Sequence, residues 1–362
     1  MFSSDAATQA VLAEGRRVLV HCNACGYCNG YCPVFDLARR RAEFSLNDLH
    51  FLSNLCHDCG ACRDACQYAP PHDFDVDVPA ALSSVRQASY QAFARPAWLG
   101  RLIWRGSAWR RWSYVLIFLS PLIVLLLNAK PVSPVSPSLF EPLPVSAMAL
   151  IGGVPFLWGG ITTLAAAFAF QRALANLPGD RRNGVSAGRV LAYALSLRQY
   201  GAGNDSCSRT VGGPAGLRKA LHHSIVLGFL LCALASFTAA VYHHVLGLEA
   251  PYPHGSLPVI LGSVGGAALV LGCGGTILLS CRRKDTKHKD GSFVRMLLFV
   301  ALSGMLVLAL RQTYWGDAAL ALHLAAVCVF FFFLPYGQFV HGPFRFLALL
   351  RAARELQSSK PH

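Results

Sequence analysis

Charge is what this sequence has least of. Only 14% of its 362 residues are Asp, Glu, Lys or Arg, where a soluble globular chain averages about 25%. Acids are the scarcer half: 18 Asp+Glu stand against 32 Lys+Arg, a formal charge of +14. With 54% hydrophobic residues and a mean hydropathy of +0.42, the chain does not read as an ordinary soluble protein. Disorder is excluded for most of it. No Arg-rich n-region, h-region and cleavage site open it, which predicts no signal peptide. No GxGxxG introduces a helix, and there is no flavin fingerprint. A basic surplus in so apolar a chain points to loops beside a membrane before nucleic acid.

Cysteine is plentiful and unevenly placed. Eight of the thirteen fall between Cys22 and Cys66. Cys22, Cys25, Cys28 and Cys32, followed by Pro33, form one CxxCxxCxxxC run; Cys56, Cys59, Cys62 and Cys66 form the second. Three thiolates at every third residue can wrap three corners of one cubane from a single tight loop. The fourth lies beyond reach, where the chain turns into a helix, and serves the other cluster, as in two-cluster ferredoxins. The expected ligand sets are therefore Cys22, Cys25, Cys28 and Cys66 for one [4Fe–4S] cluster, and Cys56, Cys59, Cys62 and Cys32 for the other. A four-cysteine zinc site needs only two CxxC pairs. Disulfides do not suit a reducing cytoplasm. Cys66 is followed by Gln67 instead of proline, a departure that concerns the local turn. His21, His57 and His72 lie nearby and read as outer neighbours of the clusters or as surface groups. Cys207, Cys232, Cys273, Cys281 and Cys328 show no spacing pattern and read as small apolar packing residues.

From about Tyr114 the character changes. A membrane span needs about 20 mostly apolar residues, and six stretches qualify: Tyr114–Ala129, Val145–Phe170, Leu221–Leu246, Leu257–Ser280, Phe293–Leu310 and Ala318–Val340. Loop charge tests the layout. The part up to Ser113 holds 12 Lys+Arg, Gln171–Ala220 holds 8, Cys281–Ser292 holds 5 and the tail after Phe339 holds 4. The other three connections hold Lys130, none, and Arg311. This alternation predicts six crossings with both termini cytoplasmic. Buried core helices of a soluble protein would not sort their charges so. Just before the first stretch, Arg95–Trp112 interleaves Trp98, Trp104, Trp109 and Trp112 with arginines, as suits a helix at headgroup level. Because this segment leads straight into a span, no nucleic-acid partner is expected. Gly152–Gly153 and Gly274–Gly275, inside spans, read as helix-packing glycines.

Histidines inside spans are costly and usually functional. His222 and His223 open the third span, His243 and His244 close it, His323 lies near the outer start of the sixth, and His341 at its cytoplasmic end. His323 and His341, five helical turns apart at about 3.6 residues per turn, share a face if one helix carries both. His222 and His244 lie within about 40° of one face. Two imidazole pairs, one near each surface and contributed by the same two helices, fit bis-His ligation of haem b, one or two per chain. Which member of each doublet ligates stays open. Arg311 and Gln312 suit a haem propionate or an interfacial anchor equally.

HCNACGYCNGYCPVF and LCHDCGACRDACQYAPPHDF, with Ala250–Pro253 (APYP) and Leu334–Leu350 (LPYGQFVHGPFRFLALL), resemble the TcuB/CitB-type tricarballylate and citrate-utilisation iron–sulfur membrane proteins over nearly the whole chain. The membrane half is also similar to nitrate-reductase γ-type cytochrome b subunits, and the helical look of Pro33–Leu55 to the α-helical ferredoxin of succinate dehydrogenase-type subunits. The expected fold is all-α: an N-terminal α-helical two-[4Fe–4S] ferredoxin-like domain (1–94), an interfacial helix (95–112), a six-helix transmembrane cytochrome b-like domain (113–346) and a cytoplasmic tail (347–362). The resemblance implies a partner FAD-dependent dehydrogenase flavoprotein, which oxidises tricarballylate and docks at the cytoplasmic face of the bacterial inner membrane. Its electrons would pass through the two clusters and haem b to a quinone in the lipid. The rival class is a redox-sensing membrane protein or transporter that has clusters but neither haem nor quinone chemistry.

Overall fold

The computed structural model describes residues 6–104, 118–119, 145–178, 185–197, 215–281, 292–313 and 315–357. All regular elements among them are helical. The first expected span, Tyr114–Ala129, apart from Phe118 and Leu119, and most of the second half of the Arg95–Trp112 segment lie outside the described residues. The chain divides into two compact units. The first gathers residues 1–101, 162–215 and 335–362, and the second 102–161 and 216–334.

The first unit opens with α1 (Ala6–Cys25), α2 (Pro33–Ala38), α3 (Leu46–Leu55), the single turn α4 (Ala61–Asp64) and α5 (Val78–Phe93). Local chemistry sets the starts. Pro33 occupies the first turn of α2, where its missing N–H costs nothing. Ser45 caps α3 in a reciprocal box: its hydroxyl accepts the Asp48 N–H (3.2 Å), and the Asp48 carboxylate accepts the Ser45 N–H (3.1 Å). Asp77 caps α5 by accepting the Ala80 N–H (3.0 Å). α1 and α5 approach closely at Gly15, where a Cβ would stand 2.6 Å from Val85 Cγ2.

Two later segments complete this core. The C-terminal half of α7 (Val145–Ala175) contributes Ala166, Phe170 and Leu174. The last helix, α13 (His341–Gln357), contributes Phe344, Ala348, Leu349 and Ala352. Phe344 stacks on Phe170 (4.6 Å between centroids, 6° between planes) and meets Phe93 and Tyr90 edge-on. Residues 347–357, expected as a tail, are thus part of a helix buried against the cysteine-bearing segment. Its polar fastening is a buried ion cluster. Arg41 is bidentate to Glu355 of α13 and also pairs with Asp48 (2.8 Å). Arg351 donates to the carbonyls of Leu177 and Pro178.

The second unit holds the N-terminal part of α7, then α9 (Ala215–His244), α10 (Leu257–Cys281), α11 (Ser292–Leu310) and α12 (Gly316–Phe333); α6 (Ala97–Trp104) reaches it at residue 102 and α8 (Ala187–Ser196) belongs to the first unit. Five helices are long and apolar enough to cross a membrane, at Ala149–Ala175, Gly216–His244, Leu257–Cys281, Ser292–Leu310 and Gly316–Tyr336. They coincide with the last five expected stretches. Large apolar side chains such as Leu230, Phe237, Leu271 and Leu278 point outward, as lipid contact requires. Small residues let backbones meet: a Cβ on Gly228 would lie 2.7 Å from the Gly265 carbonyl oxygen, joining α9 to α10. Gly275 packs likewise against Leu221, whereas a Cβ on Gly152, Gly153 or Gly274 would meet nothing within 4 Å among the described residues.

Glu355→Ala leaves the Arg41 guanidinium buried with only Asp48 as counter-charge. Breaking such a pair costs about 3–5 kcal/mol. The expected outcome is a lowered thermal unfolding midpoint for the detergent-solubilised protein, measured against the unaltered chain.

Candidate metal centre

The eight N-terminal cysteines line two clefts, and the two runs cross between them. Cys22, Cys25 and Cys28 share the first cleft with Cys66, beside His21, Tyr27, Tyr68 and Val76. Cys56, Cys59 and Cys62 share the second with Cys32, beside Phe35, Val78 and Pro79. Each cleft thus receives three thiols from one run and the fourth from the other.

Backbone geometry explains the crossing. Cys22 and Cys25 occupy the last turn of α1, and Gly26 then takes a left-handed turn (φ +69°) that brings Cys28 back. Cys32 stands at the N-cap of α2, already turned toward the other loop. In the second run, Cys56 caps the end of α3 and Gly60 starts α4 with φ +85°, so that Cys59 and Cys62 bracket a tight reversal. Cys66 falls after α4 has ended, its N–H bonded to the Arg63 carbonyl (3.1 Å). No helix follows Cys66. Instead residues 67–75 make a series of turns closed by the Val76 N–H on the Tyr68 carbonyl (2.9 Å), which answers the departure at Gln67.

The surroundings of the two clefts differ. The first is rimmed by an aromatic group in which His21, Tyr68 and His72 all contact Phe74. Its Cys25 and Tyr27 are exposed. His21 Nδ1 lies 2.8 Å from the Arg17 carbonyl, and His72 Nδ1 accepts the Phe74 N–H (3.1 Å), so both rings serve the turn. The second cleft is floored by the hydrophobic core. Cys56 is buried, and its sulfur accepts the Asp58 N–H at 3.4 Å. Its carbonyl accepts two guanidinium groups, Arg86 Nη1 at 2.7 Å and Arg345 Nη1 at 3.1 Å.

Burial, reinforced by neighbouring thiols, pushes Cys22 and Cys32 up to about 12 and Cys28 to about 11, and raises Cys62 well above the ordinary thiol range. Burial also raises Cys56, against the pull of Arg86. Thiolates in such places need cations, and a metal held by them would supply the charge. Among the described residues, no three His, Cys, Asp or Glu side chains gather tightly enough to hold a single ion. The thiols instead stand around the clefts in two sets of four, a donor set and an arrangement that fit cubane clusters, whose ligands sit on four separate irons.

The histidines of the second unit are arranged differently from one another. His222 and His223 lie in the second turn of α9, with rings 6.4 Å apart, and His243 and His244 form its last turn, with rings 4.9 Å apart. His323 lies within α12. Its Nδ1 is 3.0 Å from Ser303 Oγ of α11, which itself donates to the Val300 carbonyl (2.9 Å). With that hydroxyl committed, Nδ1 donates to it, leaving Nε2 with its lone pair. Gly304 makes room for the ring, since a Cβ there would stand 3.1 Å from Cε1. His341 departs from the expectation that it shares a face with His323. α12 ends at Phe333, two 3-10 turns follow (Leu334–Tyr336 and Gln338–Val340), and His341 starts α13, exposed, with Nδ1 2.7 Å from the Gln338 carbonyl. Pro335 cannot continue an α-helix, so the five-turn register is broken. Arg311 is buried, with Nη1 donating to the Tyr252 carbonyl (2.7 Å), an anchor within its own unit. Cys273 and Cys328 are buried and Cys281 exposed, while Cys207 lies outside the described residues.

Sequence spacing did not reveal Arg86, Arg345 or the Asp58 amide. Their only signal was Arg345's place in the GPFRF segment, to which no chemistry was attached.

The chain is similar to known proteins over nearly its whole length. The family model described as "Citrate utilization protein B" matches residues 112–362, and that described as "Citrate utilization protein B Fer4-like domain" matches residues 15–92. Citrate utilization protein B of Escherichia coli is 36% identical over 360 residues, covering 96% of this chain and 93% of that protein. No solved structure matches.

Two outcomes are expected. Cys66→Ser should disturb the same paramagnetic signal as Cys22→Ser, and Cys32→Ser the same signal as Cys59→Ser, in electron paramagnetic resonance spectra of the reduced protein. In iron-free protein, unfolding frees thiols that ionise from about pH 9, whereas the folded ones stay protonated to about 11 or 12. Stability from these groups is therefore complete below about pH 9 and lost as pH rises toward about 12, which urea titrations at stepped pH would show.

Proposed function

This chain belongs to the citrate utilization protein B family, and from that premise we propose that it draws electrons from a partner FAD-dependent dehydrogenase and delivers them to quinone in the membrane. The observation that carries the reading is the crossed pair of clefts, each with four cysteines. Cys22, Cys25, Cys28 and Cys66 would hold one [4Fe–4S] cluster, and Cys56, Cys59, Cys62 and Cys32 the other. Bound clusters of this kind carry one electron each, which lets them divide the two-electron oxidation of a flavin.

The protein's own groups prepare these sites. The core beneath the second cleft excludes water, and the Asp58 amide and the Arg86 guanidinium favour negative charge on and around Cys56. The exposed rim of the first cleft, with Cys25 and Tyr27, suits entry of electrons from a docked flavoprotein. The chain carries no flavin fingerprint of its own, which supports a separate flavin-bearing partner, and the name of the Escherichia coli relative supports a partner in citrate utilisation. Loop charge supports a multi-pass arrangement in the bacterial inner membrane with both termini cytoplasmic.

Haem b is the finer part of the proposal. His323, with Nδ1 fixed by Ser303 and Nε2 left as an acceptor, has the arrangement by which a metal-ligating imidazole is oriented. His222 or His223 and His243 or His244, on α9, are the candidate partners. His341 enters only as an exposed residue outside α12.

The test is a dithionite-reduced absorption spectrum of the purified protein. A haem b α-band that disappears in His323→Ala is expected; broad iron–sulfur absorption alone would defeat the haem assignment and favour a redox sensor or transporter. Cys25→Ser and Cys59→Ser should leave the flavoprotein active with artificial acceptors while abolishing quinone reduction. Unimpaired quinone reduction in either variant refutes the relay.

A further inference from the structure

Arg345 carries a buried charge. It stands on α13 and reaches the backbone behind the second cleft from 289 residues further along the chain, where its Nη1 donates to the Cys56 carbonyl (3.1 Å). Among the described residues its Nε and Nη2 are buried without a hydrogen-bond partner. Among the described residues no carboxylate lies within ion-pair distance of it, whereas Arg86, which shares the same carbonyl, has the Asp58 carboxylate at 3.8 Å. Burying a guanidinium against a single carbonyl is costly. A cation held there calls for an anion, and the nearest anionic chemistry available is the thiolate set of the second cleft.

Neither lysine nor arginine lines either cleft, but behind the second the Cys56 carbonyl accepts both Arg86 and Arg345. Arg17, near the first, is partly exposed and bidentate to Glu14 at 2.7 Å. The two cysteine sets are alike in number and spacing; they differ in the burial of Cys56, in the aromatic rim of the first cleft and in these guanidinium groups behind the second, of which Arg345 is the one without a carboxylate among the described residues.

We propose, resting on the cluster assignment above, that Arg345 is the counter-ion of the cluster held by Cys32, Cys56, Cys59 and Cys62 and raises its reduction potential above that of the other cluster. A cubane held by four thiolates is a dianion when oxidised and a trianion after taking one electron. A fixed positive charge in a low-dielectric site stabilises the trianion more than the dianion, and net charge and hydrogen bonding set the potentials of such clusters. Arg345 is a positioning and tuning residue, not a ligand. The C-terminal helix thereby supplies a difference that makes the two clusters unequal.

The experiment is a redox titration, followed by electron paramagnetic resonance, of the full-length protein purified without oxygen, with Arg345→Gln and Arg345→Lys beside it. The second cluster's signal is the one that changes in Cys59→Ser. In Arg345→Gln this signal should titrate at a more negative potential, so that at the wild-type midpoint the ratio of reduced to oxidised cluster falls about tenfold, equal to about 59 mV for one electron. The other signal should stay in place, and Arg345→Lys should recover most of the shift. Should Arg345→Gln lose the cluster, a lysine variant that retains it near the wild-type potential supports the charge role. Titrations superimposable on wild type, or loss of the cluster in both variants, overturn it. Wild-type protein without cubane signals instead overturns the cluster assignment, a result read before any substitution is made.

Discussion

A thiolate away from water must have positive charge beside it, and the first unit is organised around that constraint. Its cysteines stand on helix ends and tight reversals, which set the course of their backbones. Burial, reinforced by neighbouring thiols, pushes several of them far from ionisation. Iron answers most of this cost when bound, and guanidinium groups and an amide N–H answer part of the rest at Cys56. The same hydrophobic core that dries the second cleft also orders the helices that carry its ligands. The folding of this unit and the placement of its thiols are therefore coupled through a single set of side chains.

The grouping of the eight cysteines into two sets of four was legible in the sequence because its information is local. A spacing of three residues fixes which thiols can share a loop, and the helix starting at Pro33 fixes which one cannot. Five of the six apolar stretches were legible for a similar reason, since span length follows from bilayer thickness. Charge at long range was not. Arg345 and Cys56 are separated by 289 residues, and Arg41 and Glu355 by 314. No periodicity marks such pairs, and a basic C-terminal stretch reads equally well as a cytoplasmic tail obeying the positive-inside rule.

His341 shows how a periodic argument fails. Five whole turns between two histidines is a valid inference only if one helix carries both. Leu334–Val340 instead contains Pro335 and Gly337, and the chain leaves α-helical geometry for two short 3-10 turns. The spacing of the two histidines carries no information about this break. His323 has the opposite history. Its place in the sequence made it a candidate haem ligand by depth and spacing, whereas the Ser303 hydroxyl and the space left by Gly304 give its ring a fixed direction.

The cysteine domain is not an appendage that ends where its cysteines do. Phe170 and Phe344, which stack on one another in its core, come from the end of one apolar helix and from the helix following another. α7 contributes to both compact units along one continuous helix, and α12 passes into α13 through only seven intervening residues. Residues 1–94 taken alone lack both rings, the Glu355 carboxylate that neutralises Arg41, and the Arg345 cation at Cys56. What resembles a self-contained ferredoxin by its cysteine spacing is completed, sterically and electrostatically, by polypeptide that the apolar helices deliver. The electrical character of the second cleft is thus a property of the whole chain, because the charge beside Cys56 arrives on the helix that the last apolar segment leads into.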